Sequence, residues 1–417
     1  MIFLKKNVIN IVISEKVLTF VQIEYAMHNL HEYIIRRLET DVYKRMEVFP
    51  AVLILGSRQC GKSTLVKMIA KESDDFLYLD LQNMADFNKL TEPDLFFDAN
   101  RHSVICLDEI QQTPHLFSVL RSEIDRDRRT GRFILLGSAS QDLIQKTSET
   151  LAGRVGIVEL SPFSIDELTS HNPQTDLKKY WTRGGYPDSF LAANDEASIM
   201  WREDFIKTYV QRDLPQLGMQ IPALQMRRFM TMCAHLSGQI LNTSTLGSSL
   251  GLTHTTVRRY IDLLEQTFLA RVLPPFESNE KKRLVKSPKM YIRDSGILHQ
   301  LLQIKDYNDL LGSPVFGASW ESLAIENICS SFADCRFSFY RSASGDEMDL
   351  IIQKSDKTIA IECKASAAPQ VTKGFWNAIE FVKPQKTFVV APISGSYPIK
   401  ENVFVCGLNE VIFDFCH

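Results

Sequence analysis

The sequence predicts a multidomain α/β protein: a doubly wound parallel sheet first, a helical stretch next, and a second α/β domain at the C-terminal end. Three observations carry that order. The apolar run AVLIL at 51–55 leads straight into GSRQCGKST, the strand, loop and helix of a phosphate-binding turn. Residues 243–266 have the spacing of two helices joined at Gly251. Near the C-terminal end, GDEMDLIIQ and KTIAIECKAS set carboxylates into strand-like apolar runs.

A chain of 417 residues has room for two or three domains, each with its own core. Composition is 45% hydrophobic and 23% charged, which excludes disorder, collagen, coiled coil and a disulfide scaffold. With 47 Lys and Arg against 50 Asp and Glu, the net charge is -3, so any nucleic-acid contact must be local. The eight cysteines form no CxxC pair and no zinc spacing; they read as free thiols in a reducing compartment. The N-terminal run VINIVISEKVLTFV is broken by Glu15 and Lys16 before it could span a bilayer or act as a signal segment. A cytoplasmic location with no membrane partner is the expectation.

In the phosphate loop, Gly56 and Gly61 let the backbone wrap a phosphate. The N–H groups of Gln59, Cys60, Gly61, Lys62, Ser63 and Thr64 turn inward, Lys62 reaches the β and γ phosphates, and Ser63 can ligate magnesium. STLVKMIAK continues as a helix, whose N-terminal dipole favours the anion. Cys60 reads first as a small packing residue.

Such a site needs an acidic strand end to hold magnesium and orient water. SVICLDEIQ supplies Asp108 for the metal and Glu109 to polarise the water; the bland alternative is a solvated pair at a strand exit. FILLG leads to Ser138, placed to sense the γ-phosphate or the water. FLYLDL and VGIVEL bring the first domain to about five β-α units. The Asp-Glu pair, without an NKxD motif, favours ATP over GTP. Arg154, in SETLAGRVG, either reaches a phosphate in cis or in a neighbouring subunit of a homo-oligomer, or is a surface arginine at a strand entry.

WTRGGYP at 181–187 follows as a Gly-Gly-aromatic-Pro turn. The order GSRQCGKST, ICLDE, LLGSAS, LAGR, RGGYP resembles AAA-type (P-loop) ATPases of bacteria and archaea that carry a C-terminal domain of unknown function with an endonuclease-like core. The resemblance runs from about Met27 to the C-terminus. It implies ATP and Mg as ligands, residues 27–165 as the ATPase domain, and 1–26 as an upstream extension. The turn also looks like the Gly-x-Pro element of signal-transducing ATPases, whose proline packs against adenine, here Pro187; a plain tight loop between lid helices is equally open.

Residues 166–222 read as a helical lid or connector, with Arg212 and Asp213 expected to fold back as a pair. Residues 223–300 read as a winged helix-turn-helix domain. Leu246, Leu250, Leu252, Val257, Ile261 and Leu264 form its core, His254, Thr255, Arg258 and Arg259 lie on the recognition face, and PPFESNEKKRLVKSPKMYIRD forms a basic-tipped wing. Residues 251–300 hold nine Lys or Arg and five Asp or Glu. That local basicity fits DNA, although winged helices also serve as docking or lid modules.

In residues 301–417, Asp349 enters one strand, and thirteen residues later Glu362 and Lys364 alternate along another, with Cys363 on the opposite, buried side. The D…ExK arrangement resembles the PD-(D/E)XK nuclease superfamily and a restriction-endonuclease-like α/β fold. It implies that Asp349 and Glu362 hold a second Mg or Mn, that Lys364 positions water, and that Glu321 is the additional acidic residue. ExK alone is weak, since Glu280 and Lys282 repeat it in the wing. The leading expectation is an ATPase whose nucleotide state controls a DNA-binding winged helix and a nuclease-like domain. The alternative is an ATP-gated regulatory or scaffold protein whose C-terminal domain recognises without cutting.

Overall fold

A computed structural model describes residues 33–71, 75–138, 147, 149–217, 221–277, 284–332 and 334–416. The expected extension 1–26 and the wing tip with Glu280 and Lys282 lie outside the described residues. Strands β1 (Ala51–Gly56), β2 (Phe76–Asp80), β3 (Val104–Asp108), β4 (Phe133–Ser138) and β5 (Val155–Glu159) form a parallel sheet in the order β2-β3-β4-β1-β5. β1 is buried along its whole length, as a strand covered on both faces should be. Val52 and Ile54 pack to one side of the sheet, Leu53 and Leu55 to the other. β4 lies between β1 and β3, so the C-terminal ends of these three strands meet at one edge, where open α/β sheets bind ligands.

The chain then runs through short helices into the long helix Asp195–Thr208, which continues through one π turn, Tyr209–Asp213. The expected pair of helices spans Thr243–Leu250 and His254–Gln266. Gly251, at φ +66, ends the first in the left-handed conformation that glycine adopts freely, and the Thr253 hydroxyl accepts from Thr256 N–H at 3.2 Å to start the second. Leu246, Val257, Ile261 and Leu264 are buried and Leu250 and Leu252 half-buried, while His254, Thr255, Arg258 and Arg259 are exposed. The helix Ala223–His235 precedes them, and β6 (Gln239–Ile240), β7 (Ala270–Leu273) and β8 (Lys289–Ile292) form a small antiparallel sheet in the order β6-β8-β7.

The C-terminal part is a mixed sheet of β9 (Arg336–Arg341), β10 (Glu347–Lys354), β11 (Lys357–Cys363), β12 (Lys386–Val390), β13 (Ser396–Lys400) and β14 (Val403–Cys406), in the order β13-β14-β12-β11-β10-β9. Helices Phe316–Ser331 and Leu408–Cys416 contribute to the core on one face, and helix Lys373–Val382 to that on the other. The register of β10 against β9 shifts between Met348 and Ile351. Met348 and Ile351 pack into one face, Leu350 and Ile352 into the other. The extra residue of this bulge leaves Asp349 and Leu350 both directed toward the helix Phe316–Ser331, a use of bulges that re-aims a side chain. Among the described residues, no helix is long and apolar enough to cross a membrane, and the seven cysteines whose side chains are described form no disulfide.

Candidate functional site

The phosphate loop closes on itself through backbone geometry. Gly61 takes φ +102, and Gly56 lies so close to the next segment that a Cβ would come 2.3 Å from Leu160 O, which leaves room only for glycine. Lys62, buried in the loop, donates to Gly56 O at 2.9 Å and Ser57 O at 2.8 Å. The Ser63 hydroxyl donates to Asp108 Oδ2 at 2.7 Å, and the Tyr78 hydroxyl donates to the same oxygen. Burial and the Asp108 carboxylate push the Tyr78 hydroxyl well above its ordinary pKa, so it stays a donor. Ser63 and Asp108 therefore meet at one point, an oxygen donor set that suits a magnesium ion beside a phosphate. Glu109 follows in the left-handed region at φ 58 and takes a hydrogen bond from Gln111. β4 brings Ser138 to the same edge between loop and Asp108; its side chain lies outside the described residues.

In front of these groups lies a cavity of about 580 Å³, lined among others by Gln59, Gly61, Lys62, Ser63, Thr64, Asp108, Glu109 and Pro187, a size ordinary for a small-molecule site. Ile34, Phe163, Pro187, Leu191 and Phe205 give it an apolar wall. The turn bearing Pro187 is held hard: Gly185 N–H donates to Asp294 Oδ2 at 2.7 Å, and Phe163 N–H to Gly185 O at 2.7 Å. The Tyr186 ring sits 4.7 Å from that of Phe205 and 5.5 Å from that of Trp201.

Several cavity residues carry no sequence signal. Arg36, buried, donates to Cys60 O at 2.9 Å and to Glu167 at 3.1 Å, and so clamps the loop from outside. Arg58 pairs with Asp213 of the π turn. This corrects the expected pairing of Arg212 with Asp213: the π turn delivers Asp213 to the phosphate loop, and exposed Arg212 lines the cavity instead. Arg154 sits at a strand entry, the alternative to a phosphate role in cis. Its guanidinium grips both oxygens of Asp125 at 2.8 and 2.9 Å. It also adjoins Ala51, where β1 begins, roughly 16 Å along the strand from the loop. No phosphate bound there is within its reach in cis.

The C-terminal residues expected together do come together, with one addition. Glu321, on helix Phe316–Ser331, and Asp349 both bind Lys289 Nζ, at 3.0 and 3.4 Å, and Glu347 binds it at 2.7 Å. Tyr291 OH donates to Glu321 at 2.7 Å, and Cys363 N–H to Asp349 Oδ2 at 2.9 Å. Lys364 Nζ pairs with Glu362 Oε1 at 2.5 Å. Cys363 is buried in the core, as expected. Burial, with the Asp349 charge second, raises Glu321 to about 7 and Glu362 to about 8. The residues do not fit the divalent metal expected on Asp349 and Glu362: among the described residues, no group of three or more His, Cys, Asp or Glu side chains is arranged to hold a metal ion, and an ammonium stands among these carboxylates.

The two centres are joined through β8 and the residues after it. Lys289 and Tyr291 enter the carboxylate cluster, Arg293 pairs with Glu159 of β5 and Glu326 of helix Phe316–Ser331, and Asp294 holds the Gly185 turn.

Parallel sheet, phosphate loop and Ser63–Asp108 pair define an AAA-type P-loop ATPase. Residues 48–169 match the AAA domain family, 174–308 the domain of unknown function DUF8612, and 316–411 the domain of unknown function DUF4143. The chain belongs to the family of an uncharacterized protein of Mycobacterium tuberculosis and its Mycobacterium bovis counterpart. It is 37% identical to each over 363 residues, 87% of this chain and 81% of theirs. A Haemophilus influenzae protein is 22% identical over 314 residues, 68% of this chain and 75% of its own. Among solved structures, a Walker-type ATPase of Pyrococcus abyssi is 14% identical with a TM-score of 0.47, over 65% of this chain and 97% of that one.

Proposed function

We propose that the chain hydrolyses ATP to set the placement of a DNA-binding winged helix and a nuclease-like C-terminal domain. The observation that carries this reading is the continuity of β8 with Asp294: one segment holds the turn that lines the nucleotide cavity and also reaches the carboxylate cluster. In this reading Lys62 and the loop N–H groups bind the phosphates, Ser63 and Asp108 hold magnesium, Glu109 orients the attacking water, Ser138 lies beside the γ-phosphate, and Pro187 packs on the base. Bound magnesium supplies charge neutralisation on the phosphate oxygens. The helix-strand-helix-helix-strand-strand order over 223–292 supports the winged helix. The exposed His254, Thr255, Arg258 and Arg259 on one helix support nucleic-acid contact.

One observation favours the alternative for the C-terminal domain, recognition without cutting: Lys289 stands among its acidic residues. DNA binding should differ between ATP-loaded Glu109→Gln and the ADP-bound wild type. Arg258→Ala with Arg259→Ala should weaken binding and lower the salt slope by roughly one per lost phosphate contact. Equal binding in both nucleotide states refutes the coupling, and unchanged binding by the double variant removes the helix from the interface. A cleavage assay with Mg or Mn, comparing wild type with Asp349→Ala, decides between the two C-terminal readings.

A further inference from the structure

We infer that Lys289 is the resident cation of the C-terminal carboxylate cluster, standing where the nuclease-like reading puts a divalent metal, and that the cluster becomes a divalent-cation site once this ammonium is removed. The inference rests on that reading of Asp349, Glu362 and Lys364.

The Lys289 side chain is 2% exposed, and its ammonium meets Glu347 at 2.7 Å, Glu321 at 3.0 Å and Asp349 at 3.4 Å. An ammonium has three N–H donors, and three carboxylates from β10 and helix Phe316–Ser331 receive them. The Phe339 ring lies 5.5 Å from the nitrogen. Two residues along the same face of β8, Tyr291 OH takes the Glu321 oxygen that Lys289 also uses. Both oxygens of Asp349 are engaged, by Lys289 and by Cys363 N–H. The acceptors that a metal would need are thus already taken by donors of the chain, and a divalent ion in contact with a buried ammonium is repelled.

A second observation is an acceptor in the cluster that the chain leaves unused. Glu362 is 7% exposed, and its Oε2 has no hydrogen-bond partner among the described residues. Buried carboxylate oxygens are rarely left so. Lys289 is also not a side chain of the domain it neutralises. It belongs to β8, held between β6 and β7, while Glu321, Glu347, Asp349 and Glu362 lie within residues 316–411. The cation therefore arrives with the docking of the two parts.

The test is manganese binding by the full-length chain without nucleotide, read by electron paramagnetic resonance. Wild type and Asp349→Asn should show the same manganese uptake, and Lys289→Met should take up one further ion that is lost again when Asp349→Asn is added. Lys289→Arg, which keeps the charge, should behave as wild type. Asp349-dependent uptake by the wild type overturns the inference, and this arm decides even where Lys289→Met does not fold. A folded Lys289→Met that gains no ion overturns it differently: the cluster is then a structural ion network, and the nuclease-like reading beneath the inference fails with it.

Discussion

At the end of β3, Asp108 shares a hydrogen bond with Ser63 in front of a cavity of about 580 Å³. In the C-terminal domain, Asp349 shares a lysine with Glu321 and Glu347 in a packed interior. Both are aspartates at strands of an α/β sheet, and the sequence patterns around them promise a metal at each. The difference lies in what faces the carboxylate. Asp108 meets neutral hydroxyls, which leave its charge for a ligand to satisfy, whereas Asp349 meets a cation carried by the chain. Residue type at a strand end suggests a metal; the neutralising partner decides.

The largest effect that would break this comparison lies at the open site. Lys62→Ala should abolish ATP binding in calorimetry, because the loop then lacks the cation that spans the β and γ phosphates. Glu109→Gln should keep binding while steady-state turnover falls roughly a hundredfold to ten-thousandfold, the usual range for a lost general base. Turnover equal to wild type would take Glu109 out of the chemistry.

The filled site should reveal itself through pH. Folded Glu321 and Glu362 hold their protons to about 7 and about 8, from 4.5. Carboxyls raised in this way contribute stability that is complete below the unfolded value and lost as pH rises through the folded ones. The melting temperature should therefore decline between about pH 4.5 and pH 8 and level off above that, and Glu362→Gln should flatten that decline. A flat wild-type profile would mean that Glu321 and Glu362 already ionise in the folded protein as they do in the unfolded chain. The smallest effect belongs to Arg154→Ala, whose partner is Asp125 at the far end of the sheet. ATP turnover should be unchanged, and a loss that appears only as protein concentration rises would instead place Arg154 at a neighbouring subunit's phosphate.

What was legible in the sequence was local. GSRQCGKST, VICLDE and the Gly251–Thr253 junction each complete their geometry within a few residues, so strand, loop and cap could be read in place. Asp349, Glu362 and Lys364 were legible as a group because neighbouring strands align them. Lys289 was not: KSPKMYIRD reads as one arm of a wing, and the carboxylates that bury its ammonium come from far along the chain. Arg36 and Arg58 were equally hidden. Their partners, Glu167 and Asp213, are fixed by how later helices fold over the loop, and the π turn shifts Asp213 away from its neighbour Arg212. Arg154 was legible as a residue at a strand entry, but its partner Asp125, 29 residues earlier, was not.

β8 has a practical consequence for anyone dividing this protein. It is four residues long, yet with Asp294 it supplies Lys289 to one domain and steadies the turn at Gly185 in another. A fragment beginning after residue 300 would keep Glu321, Glu347, Asp349 and Glu362 but lose Lys289 and Tyr291. Its interior would carry an unbalanced negative charge that water, protons or added metal must then quench. A fragment ending before β8 would keep the phosphate loop and lose the carboxylate that Gly185 leans on. Cuts drawn at the apparent domain borders would yield pieces whose metal affinity and nucleotide affinity are properties of the cut.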